Sequence, residues 1–298
     1  LCRQGAPVPR RPAPPGMSDR AVVRVTVLTV PRDDAELAAD RMMVAGAFAV
    51  EERDVDGRLG MVELRGSLAD ALPVAVERLG SLPPGWTVRI DEVDAAPSEA
   101  WRVHAAPVRV ADDLVIRPAW TDPVGEPGVV EIAIEPGAAF GLGDHPTTRL
   151  SASAARRCVR PDGTVLDVGC GTGVLAIVAL RFGAAHAVGV DIAAAAVPVS
   201  RENAERNGVG DRLDVSTRTL DQLDGPFDLV LANILAPALV ALADDLRRLT
   251  GPGGRLVISG ILADRHDHVL AALAPMRTVR TDVLDGWAAV ELMHGDPA

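Results

Sequence analysis

The chain has 298 residues, 48% of them hydrophobic, with a formal net charge of −11. That is length enough for two ordinary domains, and the plentiful mixed charge excludes a disordered chain. The acidic balance argues against a protein that coats nucleic acid, since phosphate binding favours a basic face; it suits a basic partner and is equally common in plain soluble enzymes.

Residues 1–16, LCRQGAPVPRRPAPPG, are rich in proline and arginine and hold no apolar stretch for a signal peptide. They read as a disordered N-terminal extension, as translation from a start upstream of Met17 would give. The run AVVRVTVLTV from Ala21 to Val30 is rich in β-branched residues and bounded by Pro31, which predicts a strand. Asp33 and Asp34 are expected to cap a helix running to about Ala45. A short strand near Phe48–Glu52, a turn at Asp56-Gly57 and the strand MVELRG (Met61–Gly66) follow. Ser67 is expected to cap a helix that ends before Gly80. Pro83-Pro84-Gly85 then breaks the chain ahead of a last strand at Trp86–Val93. The order β-α-β-β-α-β is the ferredoxin-like plan, so residues 17–95 are expected to form a small α+β domain. Such a plan names no function by itself.

Residues 96–106 read as a linker with Trp101 as its bulky anchor. Short strands are expected at Val108–Val110, Leu114–Arg117 and Val129–Ile134. From Thr164 onward TVLDVG, HAVGVD, RLDVS, FDLVLA and RLVISG alternate with helical stretches. That alternation predicts an α/β, Rossmann-like domain over 107–298: a parallel sheet with helices on both faces. TVRTDVLDGWAAVELM closes the chain as an antiparallel pair. No apolar run is as long as a membrane span. The three cysteines, Cys2, Cys158 and Cys170, show no metal-ligand spacing, so no metal is expected. Their odd count without a secretion signal points to a reducing cytoplasm.

Four segments carry chemistry. In Val165–Gly173, an apolar strand enters a glycine-rich turn and then a helix. Glycines there let backbone approach a ligand closely, and the helix N-terminus offers free N–H groups. A dinucleotide fingerprint would need glycine where Val174 stands, so a dehydrogenase is disfavoured. Gly169, Gly171 and Gly173 after the acidic Asp167 instead resemble the first motif of class I methyltransferases. Asp191, at the end of HAVGVD, is placed to accept both hydroxyls of a ribose diol, with a plain capping role as the alternative. Asn233 closes the fourth strand of the repeat, where ligands of such sheets sit, with an amide acceptor for an incoming amine; a cap on the next helix is the alternative. Ala139–Thr148, AFGLGDHPTT, forms a loop before a helix, with Thr148 a hydroxyl donor and His145 more suited to structure than to acting as a base.

Together these segments resemble the methyltransferases of large-subunit ribosomal protein L11, the PrmA family. AFGLGDHPTT is the most specific mark; LDVGCGTGVLAI, GVDI, ENAERNGV, ANILA, ISGIL and Gly286-Trp287 are similar to the family pattern too. The resemblance runs from about Trp101 to Val290. It implies S-adenosyl-L-methionine as cofactor, bound by Thr148, Gly169, Gly171, Gly173, Asp191 and Asn233, with Asn233 also positioning the substrate amine. It implies transfer of methyl groups to amino groups of L11: lysine side chains, and the N-terminal amine as a further candidate. No direct nucleic-acid or membrane contact is expected. The chain departs from the family at Leu142-Gly143-Asp144, where Thr-Gly-Thr is usual. Leu142 loses a hydroxyl, and Asp144 adds a charge near a cationic sulfonium. Two rivals remain: the same chemistry on another protein lysine, a nucleic acid or a small amine, and a scaffold that binds the cofactor without catalysis. The first domain has few aromatics and no dense arginine cluster, which disfavours a nucleic-acid reader.

Overall fold

A computed structural model describes residues 22–94 (without 46, 48, 49, 56, 67, 69 and 70), 105–136 and 143–295. The expected extension 1–16, Ser67, Trp101, most of the linker and Ala139–Leu142 lie outside these residues.

The first unit runs β1 (Val22–Pro31), α1 (Ala35–Val44), β2 (Glu51–Asp54), β3 (Met61–Gly66), α2 (Leu72–Leu79) and β4 (Thr87–Asp94). Its four strands form an antiparallel sheet in the order β2-β3-β1-β4. Val62 and Leu64, two apart on β3, turn to one face, as strand periodicity requires. Leu28 and Val30 join them, and Ala38, Met42, Ala75 and Leu79 of the helices close the same core. Three local expectations shift. The helical stretch opens as a 3-10 turn at Arg32–Asp34 ahead of α1, and Asp34 Oδ2 accepts Trp86 Nε1–H at 2.9 Å. β2 lies at Glu51–Asp54 because pairing with β3 sets it, from Glu51↔Arg65 to Asp54↔Val62; its EERD sequence has no apolar signal of its own. α2 starts at Leu72 with extended Ala71 at its N-cap and proline in the first turn, whose fixed φ favours a start there.

The second part opens with a three-stranded sheet, β5 (Val108–Ala111), β6 (Leu114–Pro118) and β7 (Val130–Ile134), in which β6 pairs antiparallel with β5 and parallel with β7. There follow α3 (Pro146–Cys158), β8 (Thr164–Val168), α4 (Val174–Arg181), β9 (His186–Val190), α5 (Ala196–Arg206), β10 (Leu213–Ser216) and β11 (Phe227–Asn233). The chain ends with α6 (Ala236–Ala241), α7 (Ala243–Leu249), β12 (Thr250–Leu262), α8 (Asp267–Ala272), β13 (Arg277–Leu284) and β14 (Trp287–Met293).

The seven strands β8 to β14 order as β10-β9-β8-β11-β12-β14-β13. Pairing is parallel up to β12, and β14 inserts antiparallel between β12 and β13. Alternate residues feed two cores. Leu229, Leu231 and Val257 pack with α3, α4 and α5; Val230, Ala232, Leu256 and Ile258 pack with α6, α7 and α8. The helices thus cover both faces, which is what buries a parallel sheet. Strand order reverses between β8 and β11, the point where open sheets of this kind carry their binding crevice, at the strands' C-terminal ends. Among the described residues no helix is long and apolar enough to cross a membrane.

Candidate active site

The crevice is built from the turn after β8, the end of β9 and the end of β11. Gly169, Gly171 and Gly173 have φ of 70°, 53° and 77°, left-handed values that suit glycine. The turn is held on three sides. Gly169 N–H and Cys170 N–H donate to Val190 O at 2.8 and 3.1 Å, and Ser200 Oγ donates to Gly171 O at 2.8 Å. Asp191 Oδ2 accepts Gly171 N–H at 2.9 Å, while its Oδ1 accepts Ala193 N–H at 2.8 Å. Asp191 therefore braces the turn and the following loop at once. A carboxylate has about four acceptor positions, so it keeps capacity for two hydroxyls. A Cβ on Gly169 would overlap Ile234 Cγ2, and one on Gly173 would sit 3.1 Å from Ser200 Cβ.

Asp167 lies beneath this turn, 1% exposed. Its Oδ2 accepts Ala176 N–H in the first turn of α4 at 3.0 Å, and its Oδ1 is buried with no partner. Burial, with the neighbouring Asp191 charge adding to it, pushes this carboxyl up to about 7. Burial also pushes the Cys170 thiol up, and Cys158 to about 12, so neither is a ready nucleophile.

Asn233 ends β11, its backbone beside Ser259 of β12, with its side chain half-buried. The capping alternative is not what the fold uses: α6 has Leu235 at its N-cap and no side-chain cap bond. Thr148 stands in the first turn of α3, 1% exposed, and its Oγ1 is buried without a partner. His145 caps that helix, its Nδ1 accepting Thr147 N–H at 3.3 Å and meeting Thr147 Oγ1 at 2.8 Å. Its ring meets Trp287 edge-on at 5.2 Å. Burial lowers the His145 pKa, with Asp144 opposing, so the neutral ring suited to this cap is favoured. Gly143 enters the helix at φ 108°, where a Cβ would overlap Ile116 Cγ2. Asp144 is exposed, and Leu142 lies outside the described residues.

A family model described as ribosomal protein L11 methyltransferase (PrmA) matches residues 76–294. The chain belongs to the PrmA family. A ribosomal protein L11 methyltransferase of Symbiobacterium thermophilum is 41% identical over 218 residues, covering 72% of this chain and 70% of the relative. One from Citrifermentans bemidjiense is 44% identical, covering 64% of each chain. One from Ralstonia nicotianae is 36% identical over 302 residues, covering 91% of this chain and 98% of the relative. The solved structure of a ribosomal protein L11 methylase from Lactobacillus delbrueckii subsp. bulgaricus is 32% identical with a TM-score of 0.58, covering 63% of this chain and all of that one. As a PrmA member the chain is a methyltransferase with S-adenosyl-L-methionine as methyl donor, on the mixed α/β fold of class I enzymes.

The residues fit that donor. Its amino-acid end needs hydrogen-bond partners, and Thr148 Oγ1 is an orphaned buried hydroxyl. The glycine turn presents backbone without side chains at 169, 171 and 173, which suits close approach by a ligand.

Sequence reasoning missed two asparagines. Asn207, next after α5, pairs its amide with Ala133: Oδ1 accepts Ala133 N–H at 2.9 Å and Nδ2 donates to Ala133 O at 2.8 Å. Asn203 accepts Glu135 N–H at 2.9 Å and donates to Glu135 O at 2.9 Å and Thr172 O at 3.1 Å. It thereby ties the glycine turn to the end of β7. The available signal was two asparagines four apart at a helix end, which places both on one face.

Proposed function

We propose that this chain transfers methyl groups from S-adenosyl-L-methionine to amino groups of ribosomal protein L11, on lysine side chains and with the N-terminal amine as a further candidate. The observation that carries this reading is the convergence at the β8–β11 crevice of a glycine turn, the carboxylate of Asp191 and the amide of Asn233, in a chain of the PrmA family. The relatives named above carry L11 in their names, which supports the choice of substrate.

The cofactor, when bound, supplies a methyl group on a sulfonium, a good leaving group. The chain's residues divide the remaining work. Thr148 Oγ1 donates to the cofactor's carboxylate. Gly169, Gly171 and Gly173 let backbone lie against its methionine part, and Asp191 accepts from the ribose diol. The Asn233 carbonyl accepts a hydrogen bond from the substrate amine's N–H and keeps the nitrogen lone pair aimed for in-line attack. An amine keeps a hydrogen to donate while it attacks, which favours nitrogen over carbon or sulfur. A lysine begins with a pKa of ~10.4, and a dry channel lowers it toward the neutral form. No side chain is assigned as base, and His145 Nδ1 is committed to Thr147.

The first unit, within residues 17–95, follows the ferredoxin-like plan and selects the substrate, while 107–298 holds the cofactor and 96–106 links them. This division is supported by the segregation of the glycine turn, acid and amide in the second part. Asp33 of the first unit also stands 3.7 Å from Arg265, just beyond the end of β12, on the side where the crevice opens. A cytoplasmic site of action follows from the substrate.

Asn233→Ala should cut kcat about 100-fold with cofactor affinity little changed, because alignment matters most in the transition state. Titration and single-turnover methyl transfer measure the two. A normal rate, or an equal loss in both, would contradict the role of Asn233.

A further inference from the structure

Between the glycine turn and β12, Ile234 is a wedge held by two glycines. Its side chain covers Gly169, where a Cβ would overlap Ile234 Cγ2. Its backbone lies on Gly260, where a Cβ would overlap Ile234 O and fall 2.9 Å from Ile234 C. Gly260 has φ 83° and sits where the register of β12 against β14 shifts between Ser259 and Ile261. A bulge at such a point re-aims the neighbouring chain. The bulge is itself fixed: Ser259, fully buried, donates from Oγ to Ala288 O at 2.8 Å and has Asn233 as its backbone neighbour on β11.

Ile234 follows Asn233 directly, so whatever moves Ile234 moves the amide. We infer that Ile234 and Gly260 are positioning residues for methyl transfer: they fix the distance between the Asn233 amide and the cofactor turn at Gly169. The geometry is a stack, with Gly169 above, Ile234 between and Gly260 below, and both glycines lack the atom that would force it apart. The inference rests on the reading of Asn233 as the group that aligns the amine. The ribose contact at Asp191 follows β9 and is not part of the stack, and Gly169, the cofactor contact at its top, stays held by Gly169 N–H and Cys170 N–H on Val190 O, so the effect should fall on rate more than on affinity.

The test compares Ile234→Val, Ile234→Ala, Gly260→Ala, Asn233→Ala and the Asn233→Ala/Ile234→Ala double variant. Each full-length protein is measured for melting temperature, S-adenosyl-L-methionine affinity, and kcat and KM on L11. Ile234→Ala should lower kcat at least roughly tenfold with affinity within about threefold. Ile234→Val keeps the branched methyl and should stay within about twofold of the parent in kcat. Gly260→Ala should lower kcat at least roughly thirtyfold; if it does not fold, the Ile234 pair decides. In the Asn233→Ala background, Ile234→Ala should cost nothing further, since the group it positions is gone. A kcat within about twofold for Ile234→Ala, a loss confined to affinity or KM, or the same roughly tenfold loss repeated without Asn233 would overturn the inference and leave Asn233 standing. A normal kcat for Asn233→Ala alone would instead remove the reading beneath it.

Discussion

Asp191 shows how one carboxylate serves a site twice, with both oxygens on backbone N–H groups of the loops they brace. Asp191→Ala should therefore weaken S-adenosyl-L-methionine binding by about 100-fold or more, since each charge-assisted hydrogen bond lost costs ~1.5–3 kcal/mol and the turn loosens as well. Calorimetric titration measures this, and unchanged affinity would contradict the assignment. Asp167 is the opposite case, a carboxyl raised from 3.8 to about 7 by burial first and by the Asp191 charge second. The folded chain then holds this proton more tightly than the unfolded one. Its contribution to stability is full below pH 3.8 and is lost as pH rises through about 7. The stability of the parent relative to Asp167→Asn should thus fall by about 2–3 kcal/mol between roughly pH 5 and 8 in the unliganded protein. Urea unfolding at the two pH values tests it; a constant difference would mean that Asp167 is ionised throughout. The glycine turn and Asp191 were legible in the sequence because their signal is local: left-handed glycines and an acid in fixed register with a strand. The orphaned oxygens of Thr148 and Asp167 were not, because burial without a partner is a property of the packed chain.

Among the elements, α5 is a clamp as well as a cover. Asn207 ties it to β7 alone, whereas Asn203 reaches both the end of β7 and the glycine turn. Asn203 is fully buried and Asn207 nearly so. Either one changed to alanine strands buried backbone groups, at a cost of about 2–4 kcal/mol. Only Asn203→Ala should also weaken cofactor binding, by roughly tenfold, through the freed Thr172 carbonyl. Melting curves with cofactor titration separate the two, and equal effects on affinity would refute the clamp. The strands of the second part were legible from apolar runs bounded by turns. β2 was displaced because its four residues, EERD, take their place from pairing with β3. α2 was displaced because Pro73 starts the helix more firmly than Ser67 could.

At the scale of the molecule, the sheet order β10-β9-β8-β11-β12-β14-β13 puts the glycine turn after β8 beside Asn233 at the end of β11. These two strands are far apart in sequence and paired in space. Their adjacency was legible as a class, because alternating strands and helices after a glycine turn imply a parallel sheet with a reversal of order. The placement of the first unit was not legible. Its approach to the second part, where α1 meets α6 and the exposed Asp33 stands 3.7 Å from Arg265, leaves no pattern in the sequence.

Methylation of L11 amines by this site is tested most directly by locating the transferred methyl group. The full chain is incubated with methyl-labelled S-adenosyl-L-methionine and a mixture of purified ribosomal proteins and ribosomal RNA, and the label is found by mass spectrometry. A parallel arm uses a chain lacking residues 1–94, with cofactor binding measured alongside. Label is expected on L11 lysines with the full chain, and cofactor binding without label on L11 when the first unit is absent. Full labelling of L11 without the first unit would contradict the division of labour. Label on RNA alone, or on another protein with L11 untouched, would contradict the substrate assignment.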